Sequence, residues 1–243
     1  MTIFFGYKRL VKLEDWQGLA GDKNWVRAHS AYELACAWQA AHGLPTSIRT
    51  ALDDSGHEDL KGIELELCLV EKPVFLDTHH APSMTDVMAY GHNAKGDAVL
   101  VGVEGKANEV FGPRVSAWTR GDNKQHSAGA PLRASRVKRL KFLGKHLGRA
   151  IDPNSELRYQ LLHRTVSVVL EAQLHGAALG VVVVHAFGAD APDNCDDFVA
   201  FLHWLGGSAN IKGHVTGPCM LGEASDLATY FLWSQQPVDG QHV

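Results

Sequence analysis

The run Gly180-Val181-Val182-Val183-Val184-His185-Ala186-Phe187 carries apolar side chains at almost every position. A strand sends successive side chains to opposite faces, so an unbroken apolar run needs cover both above and below. Such strands lie inside sheets packed on both sides by helices, which excludes a sheet with one wet face at this point. The rest of the chain supplies the covering layers. Ser30-Ala31-Tyr32-Glu33 has the capping-box spacing and opens a stretch whose Leu34, Trp38 and Ala41 share a helical face until Gly43 and Pro45. This predicts a helix over roughly residues 30–42. Residues 46–52 predict a second, shorter helix, and Asp53-Asp54-Ser55-Gly56 a turn. Ile63, Leu65, Leu67 and Leu69 alternate with Glu64, Glu66 and Cys68, the period of a strand. Residues 84–90 and 98–104 predict two further strands, joined as a hairpin through His92-Asn93-Ala94-Lys95-Gly96-Asp97. Asp152-Pro153-Asn154-Ser155 reads as the start of a helix that carries Leu157, Leu161, Leu162, Thr165, Val168, Val169 and Ala172 on one face and ends near Gly176. Residues 197–205 predict a helix and residues 228–233 a last strand. The order helix, three strands, helix, strand, helix, strand predicts an α/β three-layer sandwich around a central mixed sheet. We expect one domain over residues 1–243, with a C-terminal extension from residue 190.

Composition narrows the class. With 45% hydrophobic and 21% charged residues the chain is neither disordered nor fibrous. No apolar run reaches membrane-spanning length and the N-terminus lacks a signal-peptide pattern, so a cytoplasmic protein without a membrane partner is expected. Cys36, Cys68, Cys195 and Cys219 are scattered without a CxxC pair, predicting reduced thiols. The net charge of −4 conceals an asymmetry: residues 114–149 hold ten Lys/Arg against the single acid Asp122. A local basic stripe of this kind suits a polyanion such as a nucleic-acid backbone. Arg133, Arg136, Lys138, Arg139, Lys141 and Lys145 are the candidate contacts, and a solvated basic face is the plain alternative. Nucleotide-triphosphate, dinucleotide and serine-hydrolase motifs do not occur. Thr78-His79-His80 lacks the spacing and acidic partner of a metal site, and His163, His175, His185 and His203 fall within predicted elements as structural residues.

The hairpin places chemistry. Glu104 and Lys106 in VGVEGKANE, residues 101–109, share one face of their strand while Val99, Val101 and Val103 take the other. A turn centred near Lys95 sets Tyr90 opposite Leu100, Met88 opposite Gly102, and Asp86 opposite Glu104. Two carboxylates about 5 Å apart repel by about 3 kcal/mol at an effective dielectric of about 20. A divalent cation reverses that sign, and Mg²⁺ takes carboxylate oxygens readily. Gly102 is expected to leave the neighbouring surface open for a ligand, and Lys106 to serve an attacking water or the charge of a phosphoryl transition state. Asp86, Glu104 and Lys106 therefore describe metal-assisted phosphodiester hydrolysis, against the alternative of a solvated surface strand.

Asp86 followed by Glu104-Gly105-Lys106 on an apolar strand resembles the PD-(D/E)XK, restriction-endonuclease-like nuclease superfamily, with its α-β-β-β-α-β core. SAYELA, VEGKANEVFG and RYQLLHR look like an uncharacterised bacterial family within it, and the resemblance covers about residues 30–187 with residues 114–149 as a basic insertion. It implies that Asp86 and Glu104 ligate Mg²⁺ or Mn²⁺ and that Lys106 serves the water. It further implies Glu33 as an acidic ligand from the first core helix, Gln160 as a site residue from the helix after the motif, and a possible homodimer that cuts both strands. Thr85, not proline, precedes Asp86 here. Glu33 has a competing role in capping its own helix, and Gln160 in satisfying a backbone group. The expectation is a nuclease acting on nucleic acid, DNA in the first instance. A binding module of the same fold without turnover and a phosphoesterase for a small nucleotide are the alternatives.

Overall fold

The computed structural model describes residues 1–20, 25–77, 81–121, 131–188, 192–207, 213–223 and 226–238. His79 and His80 lie outside these residues, as do Asp122 and Lys124 of the basic block. Eight strands are described: β1 (Thr2–Phe5), β2 (Lys8–Leu10), β3 (Glu64–Val74), β4 (Ser83–His92), β5 (Ala98–Lys106), β6 (Leu179–Phe187), β7 (Val215–Met220) and β8 (Ala228–Gln236). They form one mixed sheet in the order β2-β1-β3-β4-β5-β6-β8-β7. The pairs β1/β3, β5/β6 and β6/β8 are parallel and the rest antiparallel.

Helices cover both faces. α1 (Glu14–Ala20), α2 (Ser30–Ala41) and α3 (Thr46–Asp53) contribute Trp16, Leu34, Trp38, Ile48 and Leu52 to a core built on Val87, Ala89, Val101, Val103, Val181 and Val183. The opposite face packs Met88, Leu100, Val182 and Val184 against α4 (Val115–Arg120), α5 (Ala134–Leu147), α6 (Tyr159–Leu174) and α7 (Pro192–Leu205), through residues such as Leu140, Val168 and Phe201. β6 is buried along its whole length, with Val181 and Val183 in one core and Val182 and Val184 in the other. This is the cover on two sides that its apolar run demands. The C-terminal part belongs to the same sheet, because β8 pairs with β6 from Leu179↔Ala228 to Phe187↔Gln236.

Three local readings change. β3 does not keep one alternation: its pairing with β4 shifts between Leu65 and Leu67, after which Cys68 and Val70 are the buried positions. An added residue at a bulge swaps the faces of all later positions in the strand, which period-2 counting does not see. Asp152-Pro153-Asn154-Ser155 forms a turn in which Asp152 Oδ1 accepts the Asn154 N–H at 2.9 Å. α6 starts only at Tyr159, because residues 155–158 bond to residues 114–116, with Val115 N–H donating to Leu157 O at 2.9 Å and an isolated bridge between Arg114 and Arg158. At the N-terminus β1, β2 and α1 add an edge and a helix that segments of three to seven residues were too short to signal.

Gly102 does not open a ligand surface. A Cβ placed there would lie 2.3 Å from Val168 Cγ2, and one at Gly180 on the adjoining strand would lie 3.2 Å from Val168 Cγ1. The two glycines make a notch in the sheet into which Val168 of α6 descends. Gly102→Ala is expected to destabilise the fold by about 1–3 kcal/mol through overpacking, and Gly102→Val by more. Urea unfolding checks this; an unchanged midpoint would show that α6 does not depend on the notch.

Candidate active site

The hairpin register is the one read from the turn. Met88 pairs with Gly102, Tyr90 with Leu100 and Val87 with Val103. One step further, Asp86 Oδ2 accepts the Gly105 N–H at 2.8 Å, so the carboxylates of Asp86 and Glu104 come to the same end of the sheet. Lys106 Nζ donates to Glu104 Oε1 at 2.7 Å, with both side chains 6% exposed. The ammonium also lies 5.3 Å from the centroid of the Phe111 ring. Asn194 of α7 fixes the strand exit that carries this ring, accepting the Phe111 N–H at 3.0 Å and donating to Glu109 O at 2.8 Å.

α6 supplies the rest. Gln160, Arg164 and Val168 recur every four residues and so share one face of the helix. Seating Val168 in the glycine notch brings the other two to Glu104. Gln160 Nε2 donates to Glu104 Oε1 at 2.5 Å while its carbonyl accepts the Gly112 N–H at 3.0 Å. Gln160 thus satisfies a backbone group and reaches the site at once. Each nitrogen of the Arg164 guanidinium has its own partner. Nε donates to Glu104 Oε2, Nη1 donates to Ser83 Oγ at 2.9 Å, and Nη2 lies 3.6 Å from Asp86 Oδ1. Ser83 Oγ stands 2.9 Å from His163 Nδ1. Burial and the positive charges of Arg164, Arg139 and Lys106 hold the pKa of His163 well below its ordinary value, which favours the neutral ring.

These groups meet at a cavity of about 190 Å³. Glu71, Asp86, Glu104, Lys106, Gln160 and Arg164 line it, together with Trp16, Trp25 and Leu34. Glu71 is the acid that sequence reasoning missed. It sits in β3 at φ 49°, a left-handed conformation that side chains avoid, between the pairs Val70↔Val87 and Lys72↔Thr85. Burial, assisted by the charge of Glu104, pushes its carboxyl up against the pull of Arg164. Arg164 was missed as well, although its spacing from Gln160 and Val168 was visible.

Glu33 does not reach this cavity. It is 2% exposed, and its Oε1 accepts the Ala28 N–H at 2.8 Å, folding back over the start of α2. The cap differs in detail from the one expected: the helix begins at Ser30 itself, and the carboxylate reaches back to Ala28. The basic block divides. Arg139 is 3% exposed and lies 3.0 Å from Asp77, and Arg136 stacks over Trp118 at 5.1 Å while donating to its carbonyl. A buried guanidinium is not presented to a backbone phosphate, so Arg139 is a structural residue here. Lys138, Lys141 and Lys145 form an exposed stripe on α5, and Lys145 is paired with Glu223 at 2.8 Å. Arg133 is exposed just before the helix.

The electrostatics of the acidic pair are unequal. Burial opposes the charge on Glu104, yet Arg164 and Lys106 outweigh it and hold that carboxyl below its ordinary range. Asp86 is pushed up to about 7 by burial and by the Glu104 charge, against the pull of Arg164 and Lys106. Asp86 is therefore a carboxylate short of positive charge, and its oxygens and those of Glu104 are donors of the type that Mg²⁺ and Mn²⁺ take. Among the described residues no group of three or more His, Cys, Asp or Glu is arranged to hold a metal ion, so such an ion would complete its shell with water and substrate oxygens.

A family profile described as a domain of unknown function, DUF6946, matches residues 9–238. No curated protein and no solved structure matches the chain.

A folded-state pKa raised above the unfolded value contributes stability that is complete below the unfolded value and lost as pH rises through the folded one. For Asp86 that window runs from 3.8 to about 7. Asp86→Asn is thus expected to stabilise the metal-free protein most above this window, with the gain shrinking as the pH falls through it. Urea unfolding in chelator at about pH 8 and about pH 5 measures the difference; a larger gain at the lower pH contradicts the assignment.

Proposed function

The chain belongs to the DUF6946 family, and we propose that it is a metal-dependent hydrolase of phosphodiester bonds in nucleic acid, DNA in the first instance, on a restriction-endonuclease-like core. The order α2-β3-β4-β5-α6-β6, with α3 inserted after α2 and with α4 and α5 inserted before α6, supports the core assignment. The observation that carries the activity is the convergence of Asp86, Glu104 and Lys106 at one end of the β4/β5 hairpin, on a cavity.

Asp86 and Glu104 would hold Mg²⁺ or Mn²⁺. Bound there, the ion would polarise a phosphoryl oxygen and lower the pKa of a water. The remaining work falls to the chain's own side chains. Gln160 and Lys106 orient the Glu104 carboxylate, and the Lys106 ammonium offsets negative charge that grows on the phosphoryl oxygens as the attacking water replaces the leaving alkoxide. Lys138 and Lys141, exposed on α5, and Arg133, exposed just before it, would be available to backbone phosphates.

Labelled single-stranded and duplex DNA incubated with Mg²⁺, Mn²⁺ or chelator tests the reading. Metal-dependent cleavage is expected, and Lys106→Ala should slow it by about 100-fold or more without unfolding the protein by circular dichroism. Absence of cleavage of DNA and RNA with every divalent ion tried would refute it. Replacing Lys138 and Lys141 together by Glu should weaken DNA binding and flatten its salt dependence by about one unit of slope per lysine; a filter-binding titration over salt concentration reads this.

One observation favours a second reading, a nucleic-acid-binding module without turnover. Both oxygens of Glu104 already accept hydrogen bonds, from Lys106, Gln160 and Arg164. That reading expects DNA binding to be unchanged by Lys106→Ala and by chelator.

A further inference from the structure

Arg164 stands where a cation is needed. Its guanidinium touches Glu104, approaches Asp86 at 3.6 Å and is itself only 12% exposed, so it already neutralises the pair that the hydrolase reading assigns to a metal ion. A divalent ion on the same oxygens would sit against this positive charge, in an interior where charges are weakly screened. Both cannot hold the pair at full strength. The guanidinium fork suits phosphate oxygens as well as carboxylate oxygens, and Arg164 lines the cavity beside Lys106. The group that would steady it in either position is neutral: Ser83 Oγ, 2.9 Å from Nη1, is in turn held by His163. A neutral anchor lets the charged edge change partners without leaving a second ion unpaired.

We propose that Arg164 is a resident counter-cation for Asp86 and Glu104 that transfers to the phosphate of an arriving phosphodiester, so that substrate and metal ion bind cooperatively. The inference rests on the hydrolase reading and adds an order to it: without substrate the arginine suppresses metal binding, and with substrate it is drawn away and becomes a phosphate ligand. Arg164 is then a positioning residue before substrate binds and a binding residue afterwards.

The test is Mn²⁺ binding by the full chain, read from the free-ion electron paramagnetic resonance signal, with and without a duplex whose phosphates are replaced by slowly cleaved phosphorothioates. For the unaltered protein the duplex should tighten Mn²⁺ by about tenfold or more, and by reciprocity Mn²⁺ should tighten the duplex equally. Arg164→Gln should bind Mn²⁺ about tenfold more tightly without DNA, and the effect of DNA on that affinity should shrink to what direct contact of the ion with substrate oxygens contributes. Arg164→Lys, which keeps the charge, should stay close to the unaltered protein without DNA. Equal Mn²⁺ affinities for the unaltered protein and a folded Arg164→Gln overturn the proposal while leaving the hydrolase reading intact. Should Arg164→Gln not fold, the unaltered protein still decides, because an Mn²⁺ affinity indifferent to DNA overturns the coupling. Failure of every form to bind Mn²⁺ overturns this inference and the hydrolase reading together.

Discussion

The closeness of α6 to the centre of the sheet governs what the site contains. Two residues without side chains, Gly102 on β5 and Gly180 on β6, let Val168 enter the surface of the sheet. Rows of side chains normally hold a helix clear of the sheet backbone. Where the row is interrupted, the helix settles lower, and residues one and two turns before Val168 are carried down with it. Gln160 and Arg164 are those residues, and Glu104 at the end of β5 is what they meet. The apolar seat and the polar site are consequences of one packing event.

A cluster of buried charges is a costly thing to fold around. Taking Glu104, Lys106 and Arg164 out of water is offset only where each is paired and hydrogen-bonded, and apolar residues of the same volume often serve stability equally well. Here the compensation is thorough for Glu104 and incomplete for Asp86, whose carboxyl is driven up to about 7. Glu71 adds a third acid at a backbone angle that its side chain disfavours. Strain and unequal titration concentrated at one cavity mark a place where the fold gives up stability, and such places are more often sites than scaffolding.

Much of this was legible before any fold was known, and the reason is local. The five residues between β4 and β5 constrain how the two strands meet, so the pairing of Met88 with Gly102 came from the turn; the ladder runs to Val87 and Val103, beyond which Asp86 accepts the Gly105 N–H. The unbroken apolar run of β6 required helices on both sides, and both layers are present. Glu33 carried two readings, of which its bond to Ala28 N–H is the one seen. The basic block looked uniform as charge, yet burial divides it. Arg139 serves Asp77, Arg136 serves Trp118, and the exposed lysines of α5 are what an outside partner would meet.

The sequence by itself determined the longer elements and the pairing of β4 with β5, because periodicity and short turns act over a few residues. Tertiary structure decided which side chains share a cavity. Arg164 and Glu104 are 60 residues apart, and their contact depends on how deeply one helix sinks into the sheet. That depth comes from two glycines on different strands acting on one valine, a three-way fit that no single segment encodes. Glu71 faces the cavity for a related reason: a shift in strand pairing and one left-handed residue reset the alternation, and both arise from the packing of β3 against its neighbour.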